Sequence, residues 1–151
     1  MGLQATAAAD SRDWLDLEHL VEVELTSEDV EHPIESALVA KTGSGWRAQQ
    51  PGKQTIRLRF DKPHRIRRIH LVFLEDERQR TQEFVLRWSP GGAASSREIV
   101  RQQFNFSPPD NCREIEDYVV DLDGLTLLEL DLIPDISGGE TRATLAELRL
   151  A

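Results

Sequence analysis

The sequence predicts an all-β protein, an eight-stranded antiparallel sandwich of the jelly-roll kind, and three observations support it. Apolar residues recur with a period of two along successive segments, turn words separate those segments, and no internal repeat interrupts them. At 151 residues the chain is sized for one domain, which would bury roughly 70% of its unfolded surface without disulfides or metals.

Residues 1–12 are Ala-rich and read as a mobile tail ahead of a single domain over 13–151. Asp13 to Leu20 suits a short helical turn with Trp14 and Leu17 on one face. Val21, Val23 and Leu25 then alternate with Glu22 and Glu24, which fits a half-buried strand and spoils a helix. A tryptophan-anchored antiparallel hairpin follows between Gly45 and Leu71. In it Ile56, Leu58 and Phe60 alternate with Arg57 and Arg59, Asp61-Lys62-Pro63 makes the turn, and Ile69, Leu71 and Phe73 face away from His70 and Val72. Phe84 to Ser89 and Arg97 to Phe104 read as strands either side of a Pro-Gly-Gly loop. Ile115 to Asp121 and Thr126 to Ile133 are joined by the Asp123-Gly124 turn. Ala143 to Leu150 closes the chain as the eighth strand, and the whole suits a jelly roll.

If consecutive strands run antiparallel, the connections 27–53, 75–82, 105–114 and 134–142 fall at one end of the sandwich. The shorter connections 61–65, 90–96 and 122–125 fall at the other. Long loops cost closure entropy and tend to carry function, so the long-loop end is the site candidate.

Composition narrows the function classes. The formal net charge of -9 disfavours nonspecific binding to nucleic acid or an anionic membrane. Carboxylates crowd the segments up to Glu35 and from Glu114 to Asp135, whereas bases crowd Lys53 to Arg80. The outward-facing bases of the central hairpin are expected to pair across the sheet with carboxylates of neighbouring strands. The competing reading is a basic patch for an acidic partner, and fifteen of the eighteen bases are Arg, which suits bidentate recognition. The single cysteine, Cys112, and the absence of a signal-like N-terminus lead to the expectation of a cytoplasmic protein.

The order and spacing of several short words resemble the discoidin, or coagulation factor 5/8 type C, family of galactose-binding-like jelly rolls. They are Thr26-Ser27-Glu28, His32-Pro33-Ile34-Glu35-Ser36-Ala37-Leu38, Ser44-Gly45-Trp46, Gln54 to Phe60 with Pro63, Phe84 to Ser89, and Leu145 to Leu150. The resemblance covers roughly Leu20 to Leu150 and implies a non-catalytic module whose loops at one end hold the ligand. Val39 to Ser44, where carbohydrate-binding members often hold calcium, has no carboxylate, so no calcium is expected there. The loop tips offer mainly charge, which speaks against lipid.

The four histidines lack metal-ligand spacing, and neither a phosphate loop nor a serine elbow appears, so neither a cofactor nor an enzyme is expected. The candidate ligand-binding residues are His32, Arg47, Arg78, Arg80, Asn105, Phe106 and Asp135. Arginine forks suit hydroxyls and carboxylates, Asn105 would fix orientation, and Phe106 would give a sugar ring an aromatic wall. Trp46 and Trp88 are expected in the core. The expected partner is a carbohydrate or similar polar ligand, the alternative being a protein that meets the same loops or the charged sheet faces.

Overall fold

The computed structural model describes residues 14–39, 45–91 and 96–151. The tail expected at 1–12, most of the calcium-free segment and residues 92–95 of the Gly-rich loop lie outside the described residues.

Two short helices and eight strands follow in order: α1 Leu17–Leu20, β1 Val21–Leu25, α2 Glu35–Leu38, β2 Trp46–Arg47, β3 Gln54–Leu74, β4 Arg80–Pro90, β5 Arg97–Phe106, β6 Arg113–Ile133, β7 Thr144–Leu145 and β8 Glu147–Leu150. The count matches the expectation, but the partition differs. The segments predicted as two hairpins, 54–73 and 115–133, are two long strands that pair with each other antiparallel along their whole length. Neither Asp61-Lys62-Pro63 nor Asp123-Gly124 breaks its strand. Instead the β3–β6 ribbon changes register between Arg59 and Arg68, where it folds over. The backbone hydrogen bond of Gly52 reaches Thr141, and Thr144 Oγ1 donates to the Leu74 carbonyl. A straight strand would hold those two ends of β3 roughly 70 Å apart. The folded ribbon therefore does the work expected of two turns and supplies both layers of the sandwich.

The first layer runs β1, the first half of β3, the second half of β6, β4 and β5. The second runs β8, the second half of β3 and the first half of β6. Ile56, Leu58, Ile69, Leu71, Phe73, Phe84, Leu86, Leu128, Leu130 and Leu148 fill the space between, each contributing about 1.5–3 kcal/mol on burial. Trp46 is in this core as expected, its indole N–H bonded to the Ser27 carbonyl at 3.1 Å. It does not head the hairpin, because β2 pairs with β7 through Trp46 and Leu145. Gly45 makes that approach possible: its φ is +74°, and a Cβ there would lie 2.6 Å from the Leu145 carbonyl oxygen. Trp88 is half-buried against the core, with Arg97 over its ring at 5.4 Å. No described helix is long and apolar enough to cross a membrane.

The hairpin arginines are paired, as the strand alternation implies. Arg59 Nε meets Glu24 at 2.8 Å and Arg57 Nε meets Glu129 at 2.9 Å. Arg87 continues the ladder to Asp131, and Arg101 reaches Glu83 at 3.1 Å. The outer face of the first layer thus balances its own charge and is not a free basic patch.

Candidate functional site

Three of the four long connections meet at one end, as strand parity implies. The segment β2–β7 is the floor. The Asp29 amide donates to the Arg47 carbonyl, the Arg47 amide to the His32 carbonyl, and the Ala48 amide to the Ala143 carbonyl. The segment 29–32, the two-residue strand and the 141–144 segment are thereby stitched together. The 75–80 loop is organised around one carboxylate. Glu75 accepts the backbone N–H groups of Glu77 and Arg78 at 2.9 and 3.0 Å, and Arg80 Nε at 2.7 Å. Burial alone would raise the Glu75 pKa, but these three donors together hold it below the usual carboxylate range.

Between these walls lies a cavity of about 480 Å³, lined by Arg47, Asp76, Glu77, Arg78, Glu140 and Arg142 with Thr141 and Thr144. This is within the ordinary size range for small-molecule sites, roughly 300–1,000 Å³. The guanidinium groups of Arg47, Arg78 and Arg142 make no ion pair or hydrogen bond among the described residues, whereas Arg57, Arg59, Arg65, Arg87 and Arg101 of the sheets are paired. Beside the cavity, the Glu31 N–H and then the charges of His32, Arg47 and Arg142 hold the Asp29 carboxyl below its ordinary value. The arrangement offers fixed cationic donors and anionic acceptors to a ligand rich in hydroxyls, since each hydroxyl both donates and accepts.

Of the residues singled out in the sequence, Arg47 and Arg78 line the cavity. His32 stands behind Arg47, its Nδ1 3.7 Å from Asp29. Asn105 and Asp135 lie outside the cavity, in segments that meet Thr81, whose carbonyl accepts the Ile136 N–H. The Thr81 hydroxyl donates to Asn105 Oδ1 at 2.6 Å, and Asp135 Oδ1 accepts the Ser137 N–H. Two expectations are corrected. Arg80 is only 3% exposed, committed to Glu75, to Gln82 and to the Pro134 carbonyl at 2.7 Å. Phe106 is fully buried under the Arg80 guanidinium at 4.6 Å and against Phe104, because the two, two residues apart, share the inward face of β5. The cavity therefore has no aromatic wall. Sequence reasoning passed over Asp76, Glu77, Glu140 and Arg142; the loop assignment had marked their segments, but nothing in a loop word says which side chains converge. Asp16, Glu18 and His19 lie close enough to share an ion, but they are exposed in α1 and the turn before it.

Fold and site geometry together define the class: an antiparallel two-layer β-sandwich with a polar cavity at its loop end. No protein-family model matches the chain, and no curated protein matches it. Among solved structures it is similar to the family 32 carbohydrate-binding module of C. perfringens NanJ in complex with galactose. The two are 12% identical over 91% of this chain and 96% of the other, with a TM-score of 0.66. A pectin-binding carbohydrate-binding module is 18% identical over 87% and 90%, with a TM-score of 0.63. Reduced XRCC1 bound to the DNA polymerase β catalytic domain is 18% identical over 88% and 95%, at 0.59.

Proposed function

We propose that the chain is a non-catalytic binding module that takes a carbohydrate or similar polar ligand in the loop-end cavity. One observation carries the proposal: Arg47, Arg78 and Arg142 converge on the cavity with no ion pair or hydrogen bond among the described residues, where most of the other arginines are paired. Their guanidinium groups donate to ring and hydroxyl oxygens, while Asp76, Glu77 and Glu140 accept hydroxyl protons. With no aromatic platform, hydrogen bonding does the work, and specificity rests on the pattern of hydroxyls. The sandwich neighbours that hold sugars support this reading.

Calorimetry against galactose, N-acetylgalactosamine and pectin oligosaccharides, following a glycan array, tests it. Arg47→Ala and Arg78→Ala are each expected to weaken binding about 10–100-fold with unchanged melting temperature. Full affinity in both variants, or no binding by the wild-type chain to any glycan on the array, would overturn the proposal.

A further inference from the structure

The first half of β6, Arg113–Leu122, is the edge of the second layer. It pairs with β3 on one side, and β4 joins β6 only from Leu125 onward. Among the described residues no strand occupies its other side. From Arg113 to Val119 the register against β3 is unbroken, and the segment contains neither proline nor lysine, two of the devices that usually blunt an edge. The outer surface at the opposite side of this layer is covered: Trp14 packs on His70 and Arg68, and Arg149 reaches the Ala37 carbonyl of α2. At the β6 side Ile115 is 51% exposed and Val119 88%.

We propose that this edge is the docking surface for a second copy of the same chain. Two β6 edges pair antiparallel about a twofold axis at Asp117 to form one continuous intermolecular sheet. The sequence is self-complementary in that register. Ile115 faces the partner copy's Val119, and Arg113, whose side chain has no ion pair or hydrogen bond among the described residues, faces the partner copy's Asp121. On the inner side Glu116 faces the partner copy's Tyr118. Moving the axis by one residue either way sets Ile115 against an aspartate, Asp117 or Asp121. Self-apposition of Asp117 is tolerable because Arg68 at 3.2 Å and His70 at 3.1 Å already hold it. Inward-pointing charges such as Glu114 and Glu116 also discourage edge pairing in general, so the edge favours its own register over indiscriminate association. The antiparallel arrangement points the two loop ends in opposite directions. The dimer would present its cavities on opposite faces and bridge two ligands instead of binding one surface twice.

Sedimentation equilibrium of the full chain is the first test: a concentration-dependent dimer is expected, and Val119→Lys should render it monomeric with unchanged melting. Independently, in a Cys112→Ser background, Asp117→Cys should oxidise to a covalent dimer, since paired antiparallel Cα atoms lie about 4.5–5.5 Å apart. Ile115→Cys should not, because it faces position 119. A chain that stays monomeric, a dimer indifferent to Val119→Lys, or cross-linking at 115 in place of 117 overturns the proposal.

Discussion

Glu114 lies on the inner side of β6, 1% exposed, and burial followed by the hydrogen bond and charge of Glu116 pushes its pKa up to about 9. The native state holds that proton, while an unfolded chain releases it near the ordinary glutamate value of 4.5. The stabilising contribution is therefore complete below pH 4.5 and is lost progressively as pH rises to about 9. Glu114→Gln keeps an acceptor for Gln82 and removes the charge. It is expected to leave stability at pH 4 unchanged and raise it at pH 8 by about 1–3 kcal/mol, measured by urea denaturation at both pH values. Glu75 has the opposite sign. Its depressed pKa makes its contribution present above the ordinary Glu value and lost as pH falls through the native one. Glu75→Ala strands the buried Arg80 guanidinium and should cost about 3–5 kcal/mol. Glu75→Gln is the milder probe, expected to weaken ligand binding by loosening the loop that carries Arg78. Unchanged melting of the alanine variant would show that Arg80 finds another partner.

At the scale of elements, the two-residue pairing of β2 with β7 matters more than its length suggests. It sets Arg47 beside Arg142 and depends on Gly45, so Gly45→Ala should cost about 2 kcal/mol or more through its positive φ and the clash with Leu145. The accompanying loss of ligand affinity, seen in a titration at a temperature where the variant is still folded, separates this joint from a purely structural one. The charge ladder across the first layer behaves differently. Its pairs are part-exposed, so Arg59→Ala should cost at most about 1 kcal/mol, and the small effect should shrink in high salt. A loss of several kcal/mol would mean that the ladder acts as a cooperative network.

For the whole molecule, the folded β3–β6 ribbon makes the two layers interdependent. It supplies core residues to both layers, Ile56 and Leu58 in the first and Ile69, Leu71 and Phe73 in the second, and β8 closes the second layer through Leu148 and Leu150. A chain stopped after Ala146 should lose both layers together, with native circular dichroism and cooperative melting disappearing at once. Survival of the first layer alone would show that the ribbon's halves fold separately.

The strand alternation, the core placement of Trp46, the cross-strand charge pairing and the gathering of long loops at one end were all legible in the amino-acid sequence. Period-two patterning and chain parity are local properties, and both survive whether a ribbon turns at a loop or simply folds over. That is also why the sequence could not distinguish two hairpins from two bent strands: Asp61-Lys62-Pro63 and Asp123-Gly124 carry turn chemistry in either case. Alternation carries through to the end of β5 and sets Phe106 on the same inward face as Phe104, over the buried Arg80, so its assignment to the ligand site went against the pattern. The cavity itself depended on three segments far apart in the chain meeting at β2 and β7. Arg47 and Arg78 could be named in advance as loop cations, but their lack of partners, and the arrival of Arg142 beside them, were decided only by tertiary packing, because pairing depends on distance and not on sequence order.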